Sequence, residues 1–218
     1  MKKILSLAVA VALAAPLSAF AVDTVSWTQW DNVPTGTLMQ NSNTVAVTYT
    51  GDYFDIDHGN YFYDVPSSFT SAEVTNTPDT AGTIRTVGGN DVMNHIHFSQ
   101  AVVNPYIAIF SAGQAGQPVS FNFAGVSAGQ VSLIAGGTGH WGGQALTQSG
   151  TSIWGEEGNG TVKLTGSFTD IYFTTPQYEN YYGYTVGAAI AAVPEPGTYA
   201  MLMAGLGLLG LVARRKQS

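Results

Sequence analysis

Along most of this chain, apolar and polar residues alternate with a period of two. Val119-Ser-Phe121-Asn-Phe123 sets three apolar side chains on one face of an extended strand, with Ser120 and Asn122 on the other. Val131-Ser-Leu133 repeats the pattern until Ile134 interrupts it. Segments rich in Val, Ile, Thr, Tyr and Phe predict strands at Thr24–Trp30, Thr44–Thr50, Thr83–Val87, Val92–Phe98 and Tyr106–Phe110. Others follow at Val119–Phe123, Gln130–Ile134, Gly160–Thr165, Asp170–Thr174 and Tyr182–Ala188. Between them stand turn formers that tolerate positive φ, as in Gly88-Gly89-Asn90-Asp91, Gly113-Gln-Ala-Gly116 and the stretch from Gly155 to Gly160. No part of this region shows a helical period with caps, and no solenoid-length repeat is present. About ten short strands at this spacing predict an all-β fold: one β-sandwich of jelly-roll type over residues 22–190.

Both ends break the alternation. Lys2 and Lys3 precede an apolar run from Ile4 to Leu17, and Ala19-Phe20-Ala21 follows. That order reads as a secretory signal peptide over residues 1–21, cut after Ala21, with Ala19 and Ala21 as the small residues of the cleavage site. A membrane anchor is the competing reading, and the run is short for one. The expected partners are the Sec translocon and a signal peptidase. Near the other end come Pro194-Glu195-Pro196, an apolar Gly-rich run from Tyr199 to Ala213, and then Arg214, Arg215 and Lys216. The two prolines fix φ and lack an N–H, so this tripeptide is expected to be extended and readable by another protein. As a helix the apolar run rises about 22 Å, against a bilayer core of ~30 Å. It therefore suits a transient stop-transfer helix, about residues 198–213, better than a permanent span. The basic cluster stays cytoplasmic under the positive-inside rule. Gly205-Leu-Gly207-Leu-Leu-Gly210 has the spacing of a dinucleotide fingerprint. It lies inside the apolar run without a preceding strand, so small residues for close helix packing in lipid are the better account.

This Pro-Glu-Pro, apolar helix and basic cluster order, over residues 191–218, resembles the PEP-CTERM sorting signal of Gram-negative bacteria. The resemblance implies recognition at Pro194, Glu195 and Pro196 by an exosortase-type processing enzyme. It also implies a C-terminal helix that holds the chain in the membrane beforehand, and release or attachment at the cell surface or in the extracellular matrix afterwards. Such systems are associated with exopolysaccharide. Two body segments carry a weaker likeness to exported proteins of this kind: Val103-Asn-Pro-Tyr-Ile-Ala-Ile109, and Phe168 to Gly187, the latter read as the last hairpin of the sandwich. These bodies share no agreed activity, so the resemblance supplies fold and address only.

Charge separates the body from its ends. Between residues 22 and 193 only Arg85 and Lys163 are basic, against thirteen acids, a formal charge of −11. A surface this acidic excludes nucleic acid as a partner and attracts cations. There is no cysteine, so export is not used to build a disulfide scaffold.

Asp52, Asp55 and Asp57, in Asp52-Tyr-Phe-Asp-Ile-Asp-His-Gly-Asn60 with Asp64 beyond, offer hard oxygen ligands beside a glycine turn. Two readings stand: a Ca²⁺ loop, the one cofactor admitted here, and a solvated acidic turn. On a strand Asp55 and Asp57 share a side and repel unless a cation or water intervenes. His95 and His97 share a strand face and could begin a metal site, with His58 and His140 the remaining histidines. Exposed Trp141 and Trp154 could stack on sugar rings, with Asp and Asn bonding hydroxyls, whereas Tyr182 and Tyr184 share a face and read as core. No nucleophile elbow is present, and no catalytic residue is assigned. The chain thus reads as an exported non-enzymatic surface or matrix protein. The alternatives are a carbohydrate-binding module for exopolysaccharide, assisted by Ca²⁺ or not, a polysaccharide hydrolase, and an ice binder. The last finds only isolated threonine pairs, Thr48 with Thr50 and Thr75 with Thr77.

Overall fold

The computed structural model describes residues 23–59, 63–79, 82–190 and Gly205 of the 218-residue chain. The expected signal peptide with Ala19 and Ala21, the Pro194–Pro196 motif, the helix expected at about 198–213 and the cluster Arg214–Lys216 lie outside the described residues. Among the described residues no helix is long and apolar enough to cross a membrane.

Fifteen strands are described. In chain order β1 is Thr24–Trp27, β2 Gln29–Trp30, β3 Thr35–Gln40, β4 Asn43–Thr50, β5 Asp55–Asp57, β6 Thr83–Gly88, β7 Asn94–Val103 and β8 Tyr106–Ala112. Then come β9 Val119–Ala124, β10 Val131–Thr138, β11 Thr147–Ser149, β12 Ser152–Gly155, β13 Gly158–Leu164, β14 Ser167–Thr174 and β15 Tyr178–Ile190. They form two antiparallel sheets. One runs β10-β13-β8-β15-β6-β5, with β1 added beside β15; the other runs β11-β12-β9-β14-β7-β4-β3-β2. Within them β6-β15-β8-β13 faces β7-β14-β9-β12, with β6 to β9 and β12 to β15 switching sheets at each step. That path is a jelly roll, so the predicted fold class holds. The likeness of residues 168–187 to a closing hairpin does not hold. β14 and β15 lie in different sheets, and the connection through Pro176 crosses the sandwich edge.

The alternation does its expected work in β3 and β4, where every second residue is buried and the rest face water. Phe121, Phe173, Tyr182 and Tyr184 meet between the sheets, with ring centroids 5.1–5.7 Å apart in edge-on or tilted pairs. Such pairs add about 0.5–1.5 kcal/mol each beyond burial. The segment expected as one strand at Thr24–Trp30 divides at Thr28. The backbone N–H and hydroxyl of Thr28 both donate to Val186 O, at 2.9 and 2.7 Å, as the chain passes from one sheet to the other.

Strand β8 is buried along its whole length. Ile107 and Ile109 face the sandwich core, and Tyr106, Ala108 and Phe110 belong to a second cluster with Val25, Trp27, Tyr63, Phe69 and Val74. The strap at residues 63–76 thus covers the outer face of the seven-stranded sheet. Its polar groups are tied down: the Thr161 hydroxyl donates to Phe69 O at 2.8 Å, and Lys163 Nζ to Glu73 Oε2 at 2.9 Å.

Phe121 is fully buried at the aromatic centre. Phe121→Ala is expected to lower the unfolding free energy by about 3–5 kcal/mol, read as a drop in the urea midpoint with little change in slope.

Candidate functional site

The acidic turn resolves into three engaged carboxylates, two of which share one arginine. Asp55 stands opposite Arg85 in the β5–β6 pair, and the guanidinium binds it in bidentate fashion. Arg85 Nη1 also lies 3.6 Å from Asp57 Oδ2. The cation between Asp55 and Asp57 is therefore this arginine, itself packed over the rings of Phe54 and Tyr181 at 5.1 and 4.7 Å. Asp52 turns the other way, accepting from Gly88 N at 2.6 Å and from the Thr86 hydroxyl. Asp57 also accepts from Gly59 N at 2.8 Å and from the Tyr181 hydroxyl at 3.1 Å. Among the described residues the three carboxylates do not converge on a common point, so the arrangement favours a structural turn over the calcium loop.

A cleft forms instead on the outer face of the seven-stranded sheet. It has a volume of about 210 Å³ and is lined by Ser111, Gln114, Trp141, Glu157, Glu179, Asn180 and Tyr181. A bulge builds it. Gly158 pairs with Ala112 and Gly160 with Ile109, which leaves one extra residue on β8. Ser111 takes φ +48 and Glu157 φ +59, uncommon for residues with a side chain. The N–H of Ser111, taken off the ladder, donates to Asn159 Oδ1 at 2.7 Å, and its hydroxyl donates to Glu157 Oε2 at 2.8 Å. Glu179 is only 3% exposed and accepts from Gly113 N at 2.8 Å. Burial raises its carboxyl to about 8; the Gly113 N–H works against the rise and the charge of Glu157 adds to it.

Trp141, 59% exposed, stands at the rim of this cleft with its ring edge-on to His140, centroids 4.6 Å apart. His140 Nδ1 lies 2.5 Å from Asp64 Oδ2. Trp154 is half-buried on β12 and borders another depression with Pro118, Gln144, Thr147 and Glu156. The two tryptophans therefore do not make one platform. Glu157 and Glu179 escaped the sequence reading because thirteen acids offer many pairs. No local pattern marked Glu179, which the structure buries between exposed Tyr178 and Asn180.

His95 and His97 share the solvent face of β7, as their spacing requires. Their third partner is neither His58 nor His140 but Asp170 on β14. His95 Nε2 lies 2.7 Å, and His97 Nδ1 2.9 Å, from the same oxygen, Asp170 Oδ1. Hydrogen bonds from His97, His95 and Thr169 hold the Asp170 carboxyl down to about 2.

Fold and sites together define an acidic jelly roll with a tryptophan-rimmed cleft. Residues 192–216 match the family model of the PEP-CTERM protein-sorting motif, so the chain carries that motif at this end. That motif implies export, processing by an exosortase-type enzyme and sorting to the cell surface. No curated protein and no solved structure shows significant similarity to the chain.

The Glu179 carboxyl makes stability depend on pH. Its ordinary value is 4.5 and its folded value about 8, so between these the folded chain holds a proton that the unfolded chain has released. The contribution is whole below about pH 4.5 and is lost as pH rises toward 8. Glu179→Gln keeps a neutral acceptor for Gly113 N–H and removes this loss. Thermal melts are expected to show the variant gaining on the wild type as pH rises from 5 to about 8; parallel curves would refute the assignment.

Proposed function

We propose that this is an exported, non-enzymatic surface protein whose sandwich binds an exopolysaccharide chain at the Trp141 cleft. One observation carries the reading. An exposed tryptophan rims a largely apolar cleft that it shares with Tyr181 and with the polar residues Ser111, Gln114, Glu157, Glu179 and Asn180. The apolar C–H face of a sugar stacks on such a ring, and its hydroxyls need donors and acceptors of that kind. At about 210 Å³ the cleft is smaller than the ~300–1,000 Å³ of enclosing ligand pockets, so it suits one ring of a chain laid across the surface. A polymer with many repeats would compensate for weak single contacts through multivalency.

A hydrolytic reading has one feature in its favour, the Glu179 carboxyl beside Glu157, raised by burial and by the charge of its neighbour, since a raised carboxyl in a pair is the pattern of a general acid. Glu179 is almost wholly covered and its Oε2 accepts from Gly113 N, so binding is the reading adopted.

Two experiments test these proposals. In affinity electrophoresis through exopolysaccharide gels, with and without Ca²⁺, the exported protein is expected to be retarded. Trp141→Ala should weaken retention by about tenfold, the value of one lost stacking contact near 1.4 kcal/mol. No retardation by any exopolysaccharide ends the binding proposal, and release of reducing ends that disappears in Glu179→Gln would make the protein a hydrolase. For sorting, replacing Pro194, Glu195 and Pro196 by Ala is expected to leave a heavier form in the membrane fraction. Intact mass of the released wild type should lack Arg214, Arg215 and Lys216; a released chain that retains them contradicts processing.

A further inference from the structure

We propose that His95, His97 and Asp170 form a binding site for a borderline divalent transition-metal ion, with Zn²⁺ as the representative case. The site lies on the solvent face of the eight-stranded sheet, remote in the fold from the cleft on the seven-stranded sheet, and owes nothing to the saccharide reading.

The placement comes from strand register. His95 and His97 are two residues apart on β7 and project to one face. An uninterrupted ladder from the Phe168–Val102 pair would set Asp170 opposite Gln100. A register shift between Phe168 and Asp170 sets it opposite His97 instead, with Tyr172 opposite His95. Directly opposed residues bring their Cβ atoms to about 4.5–5.5 Å, close enough for both imidazoles to reach one carboxylate. The three ligand atoms lie within 4.8 Å of one another. For metal–ligand bonds of about 2.1 Å, neighbouring ligand atoms stand roughly 2.9–3.4 Å apart as the angle runs from octahedral to tetrahedral. The observed 2.7 and 2.9 Å from the two imidazole nitrogens to Asp170 Oδ1 need little widening to admit an ion.

The donor set selects the metal. Two imidazoles and one carboxylate suit Zn²⁺ and its neighbours, whereas Ca²⁺ and Mg²⁺ prefer oxygen alone. Three protein ligands leave coordination positions for water or for a donor from another molecule. The Tyr172 ring, stacked 4.4 Å from that of His95 at 14°, fixes the imidazole plane. On the other flank Thr48 pairs with His97 and Thr50 with His95, both short, exposed side chains that leave the approach open. A body of charge −11 raises the local concentration of cations around it.

The test uses the exported protein, stripped with chelator and titrated with ZnCl₂ near pH 7.5 by calorimetry, with Co²⁺ absorption as a second probe. One equivalent of Zn²⁺ is expected to bind in the micromolar range. His97→Ala and Asp170→Asn should each weaken binding by about tenfold or more, since losing even a group that only orients a ligand costs about 10–100-fold. His140→Ala should leave binding unchanged. Thermal melting gives a readout that is independent of calorimetry: saturating Zn²⁺ should raise the midpoint of the wild type and not that of Asp170→Asn. No saturable uptake by the wild type, or unchanged affinity in Asp170→Asn, overturns the proposal and leaves a hydrogen-bonded His–Asp–His surface group.

Discussion

Strand β8 must be covered on both faces, and the rest of the fold is arranged around that requirement. Its residues alternate between two cores: Ile107 and Ile109 inside the sandwich, Tyr106, Ala108 and Phe110 outside it. Burying a large apolar side chain is worth roughly 1.5–3 kcal/mol, so leaving either face wet would cost the domain much of a typical net stability. The second sheet covers one face. The strap at 63–76, with β1, covers the other, and its own polar groups are satisfied by β13, β1 and β10.

The same strand ends in the bulge that creates the cleft. Register keeps β8 in step with β13 as far as Ile109, then slips by one residue. The slip puts Ser111 at positive φ and delivers its N–H to Asn159. A second register shift, on the opposite sheet, carries Asp170 to His97. Both candidate sites therefore sit where an antiparallel ladder is locally interrupted. Regular pairing uses backbone groups on one another, and an interruption frees them and redirects side chains.

Electrostatics in the body is one-sided. Its two cations are both engaged, Arg85 by Asp55 and Asp57, and Lys163 by Glu73. The remaining carboxylates leave the surface anionic. Neutral polymers and metal ions can approach such a surface, and nucleic acid is repelled. The sorting motif implies export of this module and its sorting to the cell surface.

Much of the fold was legible because period-two patterning fixes which face a residue occupies. Val119, Phe121 and Phe123 are core, as their spacing requires. Ile134 joins the second cluster because the ladder shifts between Leu133 and Ala135, where the sequence pattern itself broke. β3, with Gly36 and two threonines, and the short β5, β11 and β12 lacked enough apolar character to be read as strands. The sites were half legible. The sequence put His95 and His97 on one face and drew attention to Trp141, but named Asp52, Asp55 and Asp57 for a cation that Arg85 supplies to two of them. The sequence by itself determined the C-terminal sorting motif, the acidic charge, the strand character and the histidine pair, since these depend on local order and composition. Only the tertiary structure decided that Arg85 would lie between Asp55 and Asp57, that Glu179 would be buried beside Glu157, and that Asp170 would meet the histidines. Each is a contact between residues 22 to 75 positions apart, brought about by strand register and sheet crossing that no local pattern encodes.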